Sequence, residues 1–449
     1  MANDDSQSSL VLQYAQQNFI GKAVIERLSA TITDPEDMLK IIQAIHTPPQ
    51  YYNLRINLSK ISPENALSFT QNIFPTVPSQ LGSLPNVLQI PITKKEVGKL
   101  HDRIVYCDKF AAESIMLGAN LFVPGIKGFN GKFPKGEAVS ITLAPKNYPE
   151  IVKNSDFTPD ELEKYFHIAN GEAMISSRDF PKYLKGIFVK NHNPLYSIPD
   201  YRDGDLYKKG WITEQNLPPN LASAIFMEKY LKVFPESTGL IIDTCSAPGH
   251  KTSALAEWGF YLSRSQGKPK WPKIISIDRS TNRLEHLRND ITRLGLQNIE
   301  VLACNLRKLL KLRPELEKSA DFLMFDPPCS ALGTRPKIFL DKTMKDLLDY
   351  PVNQRRLLKI VDNLVKPGGF LMYNTCTIPK EENEDIIAYA VHKLGYKVVS
   401  IPKKYRKIGQ PGISRMDLSD EECQQMIRFY PGLNDSIGYF IAFLQKESK

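Results

Sequence analysis

Apolar residues recur at helical spacing over residues 10–28, at Leu12, Ala15, Phe19, Ile20, Ala23 and Ile25, and predict a long helix after a frayed tail up to about Ser9. A second helix should start after Asp34-Pro-Glu and stop before Thr47-Pro-Pro, because aspartate caps a first turn and proline suits its start. Residues 51–58 alternate as a strand. From about Lys99 the pattern shortens: a helix over 110–117 stopped by Gly118, then strands at 119–123, 138–143 and 186–189 between Gly- and Lys-rich turns. Short strands with frequent turns predict a small β-barrel, with the acidic stretch 155–163 as a loop or helix inserted in it. After Pro199 a linker leads to Trp211 and a helix near 221–231.

From there strand and helix signals alternate. Strands are expected at 240–243, 274–278, 299–303, 322–326, 370–374, 397–401 and 439–443, and helices at 280–294, 352–365 and 381–393. Residues 260–273 read as an extra basic loop. Alternating βα units predict an α/β domain, a doubly wound, mostly parallel seven-stranded sheet of Rossmann-like type. The chain then divides into a mainly helical amino-terminal region (1–100), the small barrel (101–200) and the α/β domain (201–449).

With 449 residues there is room for several cores, and the formal charge of +9 suits a polyanionic partner. Basic runs interleaved with aromatics, at Lys182-Tyr-Leu-Lys185, Lys268-Pro-Lys-Trp-Pro-Lys273 and Lys403-Lys-Tyr-Arg-Lys407, read either as solvated faces or as nucleic-acid contacts. The six cysteines lie far apart with no CxxC pair, which argues against a zinc ribbon and against a disulfide framework. The amino terminus is polar and acidic, and no apolar run reaches membrane-spanning length. A soluble, cytoplasmic, metal-free protein in a reducing compartment is expected, and one active site per chain suits a monomer.

The chemistry concentrates where apolar runs end. Phe322-Leu-Met-Phe-Asp326-Pro-Pro-Cys329-Ser330 delivers a carboxylate and a thiol to the end of a buried strand, and Phe370-Leu-Met-Tyr-Asn-Thr-Cys376-Thr delivers a second thiol. Open α/β sheets bind ligands at that edge. The first strand runs into Asp243-Thr-Cys245-Ser246-Ala247-Pro248-Gly249-His250-Lys251-Thr252, a small-residue turn before a helix that suits a nucleotide. Neither a G-x-G-x-x-G nor a P-loop pattern is present, which argues against NAD and ATP. Asp278, ending the second strand, suits ribose hydroxyls; the alternative is a cap on the next helix. The two thiols alone cannot be told apart as nucleophile and helper, and either by itself would pass for an inert buried cysteine.

These motifs in order resemble the Nol/Nop/Sun family of RNA cytosine-5 methyltransferases. The likeness continues through Arg335-Pro336, Gln354-Arg355, Lys366-Pro-Gly-Gly369, Glu381-Glu-Asn-Glu384 and Asp435-Ser-Ile-Gly-Tyr-Phe-Ile441. The stretch Gly118-Ala-Asn-Leu-Phe-Val-Pro-Gly-Ile126 resembles a PUA domain, which makes the chain most similar to the sixth NSUN subfamily. That resemblance implies S-adenosyl-L-methionine as cofactor and tRNA as substrate, with the target cytosine near the 3′ end of the acceptor stem. It implies Cys376 as nucleophile, Cys329 as helper in release, and Asp326 as the group that hydrogen-bonds the base. Cofactor contacts would come from the backbone of residues 245–251 with Lys251, from Asp278, from Asn305 near the adenine and from Asp326. His250, Asn305 and Ala331 stand where the family usually has glycine, aspartate and glycine. Two rivals follow: an amino-group methyltransferase, which would need an aromatic residue where Cys329 stands, and a binding-only RNA protein that keeps the fold.

Overall fold

The structure is a computed structural model that describes residues 2–78, 84–414 and 417–448. The carboxyl-terminal half is the expected α/β sheet. Its strands are β1 (Leu240–Thr244), β2 (Lys273–Asp278), β3 (Ile299–Ala303), β4 (Ala320–Phe325), β5 (Val365–Thr375), β6 (Tyr396–Val398) and β7 (Tyr439–Lys446). Their order across the sheet is 3-2-1-4-5-7-6, with β1 to β5 parallel and β7 antiparallel to β5 and β6. An eighth strand unforeseen from sequence, Ile427–Phe429, pairs with β7. The order reverses between β1 and β4, which puts a ligand crevice at the carboxyl ends of those strands. Phe322 and Phe370, neighbours in register on β4 and β5, stack at 4.6 Å in the core of one face.

The small barrel is also present, as six strands running Leu121–Phe122, Ile187–Pro194, His167–Ala173, Ala138–Leu143, Ile104–Cys107 and Ile126–Phe129. Its insertion is a helix, Pro159–Tyr165, started by a capping box between Thr158 and Glu161.

Five sequence expectations need correction. No frayed tail precedes residue 10 in the described chain: the first helix begins at Ala2 and packs Val11 and Ala15 inward. The predicted long helix breaks in two, Ala2–Gln17 and Lys22–Ser29, with Phe19 in the left-handed region (φ 54°). Phe19 joins the barrel core while Ile20 joins the core of the amino-terminal helices, two directions that one continuous helix could not serve. The stretch after Pro199 is more than a linker, since Ile212–Glu214 pairs antiparallel with Tyr51–Ile56 and completes an amino-terminal sheet. Residues 260–273 are half helix: the helix from His250 runs to Ser265, and Phe260 stacks on Trp271 at 4.4 Å. Likewise the helix expected at 352–365 starts earlier, at Met344, and continues through Pro351 to Asp362.

Two devices, the first of them buried, fix the α/β domain against the rest. Arg55, fully buried, bonds both oxygens of Glu257 (2.9 and 3.0 Å) as well as Gln215, Ser253 and the His250 carbonyl. The segment after Cys329 is a three-way junction. There Arg335 donates to the carbonyls of Thr47 and Pro48, Lys337 pairs with Glu113, and Phe339 sits in the barrel core.

Candidate active site

Strands β1 to β5 all end at one edge, and each delivers a residue to one cavity of about 500 Å³. Cys245 and Ala247 follow β1, Asp278 ends β2, Asn305 follows β3, Asp326 and Cys329 follow β4, and Cys376 follows β5. The volume lies in the range of small-molecule sites. Arg279, Arg283 and Arg307 stand at the same cavity, which sequence reasoning did not foresee.

The turn after β1 is built for close approach. Cys245 takes φ 57° and Gly249 φ 108°, and a Cβ at 249 would lie 2.6 Å from Leu287. Asp278 lines the cavity and ties the two turns beside it: one oxygen accepts from the Ala247 amide at 3.1 Å and the other from the Ser280 amide at 2.9 Å, while Ser280 itself caps the next helix. Asn305 caps the next helix by accepting from the Arg307 amide at 3.0 Å. Not every residue of the 245–251 turn lines the cavity. Ser246 accepts a hydrogen bond from Ser276, Pro248 is exposed, and the His250 carbonyl takes bonds from Arg55 and Gln215. The Lys251 side chain instead reaches across to Asp326.

The two thiols meet. Cys329 Sγ and Cys376 Sγ are 3.4 Å apart, and the Lys251–Asp326 ion pair lies beside them. The hydrogen bond shared with Cys329 lowers Cys376 from the ordinary thiol range, and the Lys251 charge adds to it, against burial and Asp326. The same hydrogen bond, with burial, pushes Cys329 well above that range. Burial pulls against the charge on Lys251, but Asp326 more than offsets it and keeps the amine protonated. The sequence could not choose between the thiols; the proximity of Lys251 favours Cys376 as thiolate. Of the remaining cysteines, burial raises Cys107 and Cys245, and Cys304 and Cys423 are buried.

A supporting shell fixes this geometry. Ser330 and Thr377 hydroxyls bond at 2.6 Å, tying the two cysteine loops together. Glu382 accepts from the Ser330 amide and from Gln354, and Gln354 also donates to the Pro328 carbonyl. Asn383 donates to the Thr377 carbonyl and accepts from Thr375. Gln354 and the 381–384 run had been singled out without a task, and these bonds supply one.

Residues 230–445 match the family described as 16S rRNA methyltransferase RsmB/F, and residues 103–195 match the PUA domain. The α/β domain is thus similar to the RsmB/F methyltransferases, and the small barrel before it to PUA domains. A Pyrococcus horikoshii protein named tRNA (cytosine(72)-C(5))-methyltransferase is 29% identical over 92% of this chain and 93% of its own length. The human protein named tRNA (cytosine(72)-C(5))-methyltransferase NSUN6 is 26% identical over 96% of both. The crystal structure of NSun6 from P. horikoshii with SFG superposes with a TM-score of 0.74 at 27% identity, covering 96% of this chain and 99% of that one. Family members use S-adenosylmethionine, and the residues here fit it. A strained small-residue turn leaves room for a ligand against Ala247, a buried acid ends β2, and the cavity reaches both thiols.

Proposed function

We propose that this protein is a tRNA cytosine-5 methyltransferase that acts on a cytosine near the 3′ end of the acceptor stem. The observation that carries the reading is the 3.4 Å thiol pair beside the Lys251–Asp326 ion pair at one strand edge. The names of the P. horikoshii and human relatives support the substrate, and the PUA domain supports an RNA partner.

Carbon 5 of cytosine is a poor nucleophile, and addition of a thiolate to carbon 6 makes it enamine-like. In this reading Cys376 forms that bond, and the π electrons of the ring move toward carbon 5 and N3. Asp326 hydrogen-bonds the base, and the Lys251 ammonium bonded to it offsets the negative charge gathering there. S-adenosylmethionine, when bound, supplies the methyl group as an electrophile. When water, acting as base, takes the carbon-5 proton, the electron pair of that C–H bond restores the carbon 5–carbon 6 double bond and expels Cys376 as thiolate. The Cys329 thiol, hydrogen-bonded to Cys376, stabilises the departing thiolate, which is how it assists release. Cys245, Ala247, Asp278 and Asn305 would hold the cofactor, with the turn backbone and Lys251 behind them.

We further read the enzyme as a monomer that works in the cytoplasm without a metal. Among the described residues no helix is long and apolar enough to cross a membrane. The test is adduct trapping. Cys376→Ala should abolish both methylation and any covalent RNA complex, while Cys329→Ala should still form the adduct and accumulate protein–RNA complexes that survive denaturing gels. Trapping by Cys376→Ala instead would reverse the two roles. Calorimetry showing no cofactor binding would favour the binding-only reading.

A further inference from the structure

Tyr439 opens β7 and packs in the same core face that Cys376 borders. Its neighbour Phe440 pairs in register with Thr375, so the next pair toward the strand edge brings Tyr439 beside Cys376. The ring is almost wholly buried, and its hydroxyl, itself inaccessible, has no hydrogen-bond partner among the described residues. A buried hydroxyl without a partner costs on the order of its desolvation free energy and needs an explanation. Lys251, Asp326, Cys376 and Cys329 are among the charged and titratable groups that act on it. Burial raises the phenol and Lys251 pulls it back, while the phenol in turn adds to the forces that keep Lys251 protonated. Lys251 has three N–H donors and spends one on Asp326.

We propose that Tyr439 is a positioning residue whose hydroxyl accepts from the Lys251 ammonium when Asp326 turns to the cytosine, and so holds that positive charge over the Cys376 thiolate. This rests on the reaction assigned above for its purpose, but the contact can be tested without any RNA. Tyr439→Phe removes only the oxygen, and because that oxygen is unpaired the variant should keep its fold and melt no lower than the parent. The readout is the pH profile of Cys376 alkylation by iodoacetamide, followed by peptide mass spectrometry. In the Asp326→Asn background, where the lysine has lost its carboxylate, adding Tyr439→Phe should move the Cys376 profile up by about one pH unit, a tenfold loss of thiolate near neutrality. In the otherwise unaltered enzyme Tyr439→Phe should lower kcat about tenfold and leave KM for tRNA and S-adenosylmethionine unchanged. Coincident alkylation profiles for Asp326→Asn and the double variant would overturn the proposal, whatever the kinetics. A shifted profile would sustain it even if the protein methylated some other RNA.

Discussion

Arg55 sits on the amino-terminal sheet, yet its guanidinium reaches the helix that carries Lys251, and replacing it by methionine tests how the two parts are coupled. The side chain is fully buried and makes five hydrogen bonds, at 2.9 and 3.0 Å to Glu257, 2.6 Å to Gln215, 2.9 Å to the His250 carbonyl and 2.9 Å to Ser253. Removing one partner of a buried pair leaves an uncompensated charge and costs about 3–5 kcal/mol. Burial already raises the Glu257 carboxyl against the pull of Arg55, so without Arg55 it should take up a proton. An acid whose folded pKa is raised contributes stability at low pH and loses it as pH rises, so Arg55→Met should be least stable at high pH and recover on acidification. Replacing both residues by methionine should restore most of the loss, because a well-packed apolar pair is often no less stable than a buried ion pair. Urea titrations read by tryptophan fluorescence would follow this, since Trp258 adjoins Glu257 in the same helix. A cost below about 1 kcal/mol for Arg55→Met, or a double variant as unstable as the summed single changes, would refute the reasoning.

Other consequences are simpler to check. Asp243 is fully buried and burial pushes its carboxyl up to about 7, with Thr252 donating to one oxygen at 2.5 Å and the other oxygen unpartnered among the described residues. Because the folded state then binds the proton more tightly, stability should fall by up to roughly 4 kcal/mol between about pH 4 and 7. Asp243→Asn should flatten that slope in urea midpoints measured across this range, and parallel curves would refute it. Ala331 holds φ 56° beside Cys329, a conformation that costs a residue with a Cβ about 1 kcal/mol, so Ala331→Gly should raise the melting temperature slightly. An unchanged or lower melting temperature would show that the strain is met elsewhere. Finally, Cys329→Ala should raise the pH at which Cys376 alkylates, since the hydrogen bond that lowers the thiol is gone.

The catalytic strand ends were legible because the fold writes them locally. Apolar runs such as Phe322 to Phe325 stop at residues that can bind or react, and the parallel sheet then collects those stops at one edge. Element positions followed from periodicity wherever one side of a strand or helix faced one core. The reading failed where a residue serves two cores, as at Phe19 and Ile20, or where a helix carries proline in its interior, as at Pro351. Contacts made across domains leave no local mark: Arg55 looked like an ordinary polar strand position, and nothing near Arg335 announced its bonds to Thr47 and Pro48. Asp278 shows a third case: its carboxylate accepts from the Ala247 and Ser280 amides, a task of holding two turns that neither the ligand reading nor the capping reading named. The thiol roles were open for a similar reason, since only the folded arrangement sets Lys251 beside them.

The central claim is that Cys376 attacks a tRNA cytosine so that carbon 5 can be methylated. Its most direct test is methyl transfer from labelled S-adenosylmethionine to total tRNA, with the product mapped to the nucleotide. One 5-methylcytosine near the 3′ end of the acceptor stem, lost in Cys376→Ala, is the predicted result. Label on an exocyclic amino group, or methylation that survives Cys376→Ala, would contradict the account.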